Sequence, residues 1–325
     1  MKSGKGRGVA EAIAACLVSA LILAPAAAWA ALALWFRLPA PDPLRAFAAG
    51  SFALFGLATI AGAFNRQRLA VLLFFALAFC GLLVWWSGIE PPTDRDWTPD
   101  VARQTTGRLD GDILTLSDVH DFGWRSETDF VERWQKRTYD LAKLRTLDLF
   151  LSYWSGPEIA HLILTFGFDG GDYLAWSVEV RRERGGQYSP VADAFKTDAV
   201  VYIAADEHDV VRLRTNIRNE DVRLYRLTTS PHDARMLLLQ YVDETNALAA
   251  KPAFYNSITT NCTTAVAKMV RTAGGTLPRD WRLLVNGYLP GYLYDHGAVV
   301  TSVPLHELMA RARIGDRTRA CRPIA

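Results

Sequence analysis

Cys262 lies in the run Thr259-Thr260-Asn261-Cys262-Thr263, and Ala265, Val266, Met269, Val270 and Ala273 follow it at i+3, i+4, i+7, i+8 and i+11. That spacing predicts one apolar face of a helix that begins near Asn261 and is closed by Gly274-Gly275. A thiol in a first helical turn meets the positive end of the helix dipole and amide N–H groups that the helix itself leaves unused. Both favour the thiolate. The same amides suit the oxyanion that forms when a thiolate attacks a carbonyl. From position alone, two other readings stay open: a buried packing cysteine, or a disulfide with Cys321.

A thiol nucleophile needs a base, normally histidine. His120, His161, His208, His232, His296 and His306 are available. His161 opens the apolar run Leu162-Ile163-Leu164-Thr165-Phe166, an unusual place for a polar ring that has no task. His120 and His208 stand in charged, loop-like surroundings, and His232 falls in a first helical turn, where a cation is disfavoured. In Trp176-Ser177-Val178-Glu179-Val180-Arg181, alternation puts Ser177, Glu179 and Arg181 on one face. A hairpin through Asp169-Gly170-Gly171-Asp172 brings that face near His161, where Glu179 can orient the imidazole. The competing reading is a surface Glu–Arg ladder. No zinc spacing, phosphate loop or Gly-x-Ser-x-Gly elbow is present, and His120-Asp121 has no partner motif, so neither a metal nor another cofactor is expected.

The elements that must position these groups form an α+β domain, an antiparallel sheet with helices on one side. Strand candidates are Asp112–Leu116, Leu147–Trp154, His161–Phe168, Tyr173–Arg181, Ala199–Ala204 and Asp221–Leu227. A second helix starts at Ser230 as N-cap with Pro231 at its first position, followed by Met236, Leu237, Gln240, Tyr241 and Glu244.

Before this domain, residues 8–88 are nearly free of charge. Three apolar runs, Val9–Phe36, Leu44–Phe64 and Leu69–Trp86, have the length to cross a bilayer as helices. Their turns are marked by Arg37, Pro39, Pro41, Asp42 and Pro43, and by Asn65 to Arg68. Lys2, Lys5 and Arg7 favour a cytoplasmic N-terminus. Arg66 and Arg68 fall on the same side, while Arg37 and Arg45 oppose the bias. Three spans then place residue 89 onward outside the cytoplasm. The alternative for the first run is a cleaved leader ending near Ile13-Ala14-Ala15-Cys16, but the run continues well past Cys16. The division expected is 1–88 membrane segment, 89–108 linker and 109–325 extracytoplasmic domain. Residues 1–88 carry seven Lys/Arg and two Asp/Glu, hence +5, and the chain's net +2 leaves −3 beyond them. An acidic outer domain argues against a nucleic-acid partner.

Several motifs taken together resemble one bacterial envelope family. They are His120-Asp121-Phe122, Arg125-Ser126, Asp129-Phe130, Arg137-Thr138-Tyr139-Asp140-Leu141 and Asp148-Leu149-Phe150-Leu151-Ser152-Tyr153-Trp154. Further along come Ile159-Ala160-His161, Ser177-Val178-Glu179, Ala205-Asp206-Glu207, Arg212-Leu213-Arg214-Thr215-Asn216 and the Cys262 run. The family is named for the periplasmic domain of Lnb, a lipoprotein intramolecular transacylase, which moves an acyl chain from the glyceryl-modified N-terminal cysteine of a lipoprotein to its amino group. In its namesake the periplasmic domain precedes the membrane part, whereas here three spans come first. The order His161, Glu179, Asn261-Cys262 is also similar to that of the permuted papain-like thiol enzymes, which include lecithin–retinol acyltransferase and relatives of the NlpC-type peptidases.

These resemblances imply a permuted papain-like (NlpC-like) fold with Cys262 as nucleophile, His161 as base and Glu179 as its orienter. Asn261, Tyr153 and Ser177 would serve substrate or oxyanion binding. The implied protein is a multi-pass protein of the bacterial inner (cytoplasmic) membrane with a periplasmic thiol acyltransferase domain, acting on membrane lipid or lipoprotein. The rivals are an envelope hydrolase or peptidase with the same dyad and a non-catalytic assembly module.

Overall fold

The computed structural model describes residues 3–63, 67–186 and 189–315, with side chains from residue 20 onward. Lys2, the turn residues Asn65 and Arg66, and Cys321 lie outside the described residues. The chain forms two compact units, Met1–Pro91 with Val191–Thr197, and Pro92–Pro190 with Asp198–Ala325.

The first unit holds α1 (Ser3–Arg37), α2 (Asp42–Gly62) and α3 (Arg68–Ser87). Each contains an apolar window long enough to cross a membrane: Ala20–Arg37, Asp42–Gly62 and Arg68–Ser87. Leu21, Phe47, Leu77 and Val84 are largely exposed, as expected of helices whose surroundings are hydrocarbon rather than water. α1 and α2 touch through small residues. A Cβ on Gly56 would come within 2.3 Å of the Ala27 Cβ, so only glycine permits this approach. Phe195 packs among Trp29, Phe36 and Trp86, and the Lys196 ammonium donates to the Trp86 carbonyl at 2.8 Å.

The second unit is sheet-rich. Its strands are β1 (Thr106–Asp110), β2 (Ile113–His120), β3 (Gly123–Trp124), β4 (Phe130–Val131), β5 (Trp134–Asp140), β6 (Leu144–Tyr153), β7 (Ala160–Phe168), β8 (Tyr173–Arg181), β9 (Ala199–Ala205) and β10 (Asp221–Arg226). The main sheet runs β1-β2-β9-β8-β7-β6-β10, with β5 added to β2, and β3 and β4 form a separate pair. Its helices are α5 (Glu207–Arg212), α6 (Pro231–Ala250), α7 (Cys262–Thr272), α8 (Leu289–Asp295) and α9 (Leu305–Arg311); the short α4 (Pro190–Asp193) straddles the boundary between the units.

Local chemistry explains the two long helices. The Ser230 hydroxyl accepts from the Asp233 amide at 3.1 Å and Pro231 fills the first position of α6. Asn261 and Thr264 form a reciprocal capping box on α7, and Gly274 ends it with φ +88°. Both helices cover the face of the sheet made by Leu149, Leu162, Leu164, Trp176 and Tyr202. Trp176 stacks on Tyr241 at 5.1 Å. Truncating a fully buried ring of this kind costs about 3–5 kcal/mol.

Two features differ from the expectation of an antiparallel sheet with helices on one side. The sheet is mixed, because β2 meets β9 in parallel at His120–Ala205. Its second face is also covered, by Val210 and Val211 of α5 and by Val101, which pack on Ile163, Ala175, Val201 and Ile203. α5 has six residues, too few for its periodicity to register in the sequence. The candidate Asp112–Leu116 is the start of β2, whose far end carries His120. His120 is therefore a strand residue, not a loop residue.

Candidate active site

The β7–β8 ladder runs from Gly167–Tyr173 to Ile163–Ser177 and stops there. Beyond that point β7 pairs with β6 as far as Ala160, and β8 pairs with β9 as far as Arg181. The sheet thus forks, and the candidate residues gather in the fork. Cys262 is the first residue of α7 and its thiol is free and buried. His161 lies on the β7 arm, with Ser177 and Glu179 on the β8 arm. Alternation places all three on one face, as the sequence predicts.

The hydrogen bonds fix the imidazole. Ser177 Oγ donates to Glu179 Oε1 at 2.7 Å. His161 Nε2 lies 2.6 Å from Ser177 Oγ and 3.0 Å from Glu179 Oε1. Since the serine proton is already committed to the carboxylate, Nε2 must carry its own proton and donate. Nδ1 is then the nitrogen left for the thiol. Arg214 donates to Glu179 at 3.1 Å and to Glu220 at 3.3 Å, and Ser152 also donates to Glu220. Arg181 is spent elsewhere, on the Val101 and Ala102 carbonyls.

The electrostatics favour an ion pair. Burial raises the Cys262 pKa, but the hydrogen bond and charge of His161, the Leu162 amide and the Thr263 hydroxyl outweigh it, so the net shift is downward. Burial and Arg214 lower the His161 pKa, yet Glu179 and Cys262 prevail and the net shift is upward. Burial raises Glu179, but His161, Arg214 and Ser177 hold it well below the usual carboxylate range. Each direction favours thiolate, imidazolium and carboxylate in a row.

Asn286, which the sequence reading did not single out, holds this arrangement together. Its side chain exchanges two hydrogen bonds with the backbone of Ala160, accepting at 2.8 Å and donating at 2.6 Å. It also donates to Thr263 Oγ1 at 2.7 Å and lies 3.8 Å from the Cys262 sulfur. One carboxamide therefore ties the strand that carries His161 to the helix that begins at Cys262. The signal for it was faint: an Asn-Gly turn pair at 286–287, inside an otherwise apolar stretch from Leu283 to Leu289. Arg214 was likewise missed as a site residue; it lies in a π-helical turn, Leu213–Ile217.

The remaining candidates fall as follows. The Asn261 side chain accepts from the Thr263 and Thr264 amides and donates to Ser257, so it caps α7 and is not turned toward a ligand. Tyr153 is buried and its hydroxyl donates to the Gly287 carbonyl at 2.8 Å, which props the Asn286 turn. His120 is buried and bonded through Nδ1 to Asp209. His208 and His232 are exposed, His296 bonds the Tyr292 carbonyl, and His306 lies in α9. Cys321, the alternative partner of Cys262, lies outside the described residues. Asp121, Asp206 and His208 come within reach of one another. Arg137 already sits 2.7 Å from Asp206 and 3.6 Å from Asp121, and Arg133 is 3.5 Å from Asp121. Guanidinium groups thus take the role a cation would have there.

No curated protein and no solved structure matches the chain. A family model does match, and Tyr153, His161, Ser177, Glu179, Arg214, Cys262 and Asn286 all fall inside the matched segment: residues 130–287 match the family of the Lnb N-terminal periplasmic domain.

Proposed function

We propose that this protein is a cysteine-dependent acyltransferase of the bacterial envelope. In this reading α1–α3 hold it in the inner membrane and the sheet-rich domain lies in the periplasm. Its substrates are acyl esters of lipoproteins or membrane lipids, and its product is a lyso-lipoprotein. The observation that carries the reading is the Cys262–His161–Glu179 network, with both pKa shifts of the dyad toward the ion pair, inside a domain of this family.

The chemistry follows from the geometry. The Cys262 thiolate attacks the ester carbonyl and a C–S bond forms. The negative oxygen meets the Cys262 amide, which the Asn261 cap leaves unused because it takes the Thr263 and Thr264 amides. As the C–O bond breaks, the leaving alkoxide takes the proton on His161 Nδ1. An acceptor amine then attacks the thioester, neutral His161 removes its proton, and the thiolate departs. Glu179 and Ser177 keep Nε2 protonated throughout, and Arg214 keeps Glu179 ionised. The order of the groups along the chain is that of the permuted papain-like enzymes.

Mass spectrometry of lipoprotein N-termini in cells with and without the protein tests this. Lyso-form peptides are expected with the wild type and not with Cys262→Ala or His161→Ala at equal protein level. Unchanged lyso-form in Cys262→Ala, or a Cys262–Cys321 disulfide in the active protein, overturns the mechanism.

A further inference from the structure

A cavity of about 580 Å³ lies beneath α7, within the roughly 300–1,000 Å³ typical of small-molecule sites. Its walls are Leu149 and Leu164 from the sheet, Val266 and Val270 from α7, and Leu277 and Leu289 from the segments that follow. Thr228, Thr229, Ser230 and Asp233 supply most of its polar lining, and Asp233 is already bonded by the Ser230 hydroxyl at 2.7 Å.

Its position relative to the nucleophile gives it meaning. Leu162 and Thr263, the two neighbours whose amide and hydroxyl support the Cys262 thiolate, both line the cavity. From Thr263 the lining follows α7 through Val266, Ala267 and Val270 to Ala273. Those eleven residues make ten steps of ~1.5 Å, about 15 Å in all. The hydrocarbon core of a bilayer is about 30 Å thick and two chains deep, so one acyl chain of a membrane lipid spans about the same 15 Å. Ala267 on α7, and Ala273, Gly274 and Gly275 just past its end, add little bulk to the lining.

We infer that this cavity receives the acyl chain that Cys262 takes over, held as a straight hydrocarbon along α7 while its carbonyl carbon sits at the sulfur. The inference rests on the acyl-transfer reading and adds to it a binding subsite and a preference for long chains. Each methylene buried there is worth about 0.8 kcal/mol, or roughly fourfold in affinity. A preference built from several methylenes therefore exceeds tenfold.

The test uses the full-length Cys262→Ala protein in lipid nanodiscs, with palmitic acid carrying a diazirine at its far end. After photolysis, adducts are expected on peptides containing residues 263–277 or 289–298, and Val270→Trp should remove most of them. Adducts confined to residues 3–87, or unaltered by Val270→Trp, overturn the inference. In the otherwise wild-type background, Val270→Trp should lower turnover of a palmitoyl ester at least tenfold relative to an acetyl ester, with thermal unfolding confirming a folded domain. An unchanged ratio also overturns it. Labelling in the cavity with turnover that does not need Cys262 would refute acyl transfer and leave the subsite standing. Cys262-dependent turnover with no label there would refute the subsite alone.

Discussion

Gly287 offers a stringent check on how the site is held. A Cβ at this position would lie 2.0 Å from the Pro157 carbonyl oxygen, 2.6 Å from Glu158 C and 2.7 Å from Glu158 O. These are backbone atoms, so no side chain can swing aside. Restoring a tolerable 3.0 Å contact from 2.0 Å requires the turn to retreat by about 1 Å. Such a retreat weakens the bond from the Gly287 amide to the Glu158 carbonyl, now 2.9 Å, and draws the adjacent Asn286 away from Ala160 and Thr263. Overpacking of this kind costs about 1–3 kcal/mol of stability, and a misplacement of about 1 Å at a reacting centre costs about 10²-fold in rate. Gly287→Ala is thus expected to fold with a lowered melting temperature and a kcat for ester turnover reduced about a hundredfold. Alkylation of Cys262 by iodoacetamide at neutral pH should slow in parallel, because the thiolate loses the support relayed through Thr263. Gly81→Ala, with nothing within 4 Å of its new methyl, is the control. A Gly287→Ala protein with kcat within twofold of the wild type would refute the view that the Asn286 turn positions base and nucleophile.

Two further outcomes follow from the charges. Glu179 raises the His161 pKa; in the proposed mechanism acylation needs the imidazolium, so the alkaline limb of kcat/KM against pH should report loss of that proton. In Glu179→Gln the raising influence is gone and the alkaline limb should move to lower pH; a limb that stays in place contradicts the role given to Glu179. Arg214→Met leaves Glu179 and Glu220 without their shared cation, at a cost of about 3 kcal/mol or more for a buried pair broken on one side. The depressed Glu179 pKa stabilises the fold above its unfolded value of 4.5, and that contribution is lost as pH falls through the folded pKa. The destabilisation by Arg214→Met should therefore be full at neutral pH and shrink only as pH falls below about 4.5, as chemical denaturation at a series of pH values would show. A cost independent of pH would count against the charge network.

The parts of the site that sequence could reveal are those set by local rules. Cys262 was legible because caps and apolar spacing act within a dozen residues, and Ser177 and Glu179 because strand alternation needs only the strand itself. The Asp169-Gly170-Gly171-Asp172 turn was legible for the same reason, its glycines taking φ of +99° and +92°. Asn286 was not, since its partners Ala160 and Thr263 lie far away in sequence and nothing periodic leads to it. Asn261 was misjudged for a related reason: next to a nucleophile, a helix cap and an oxyanion donor have the same composition, and only the direction of the carboxamide separates them. Arg214 sits in a π turn, which neither a 3.6-residue nor a 2-residue period describes. β1 escaped notice because it is largely exposed, and β5 because its residues are mostly polar and only half-buried, with Tyr139 its one buried side chain.

The fork in the sheet has a consequence for motion. His161 rides on the β6–β7 ribbon and Glu179 on the β8–β9 ribbon, and no ladder bonds join the two at that level. A small flexing of the ribbons would therefore part the imidazole from its carboxylate, while Asn286 keeps the imidazole's strand fastened to α7. Proton affinity at the dyad is then tied to a breathing mode of the sheet. Amide hydrogen exchange near Leu162 and Val178 should report that mode, being faster than at Leu164 and Trp176, which are paired to each other farther along the same two strands.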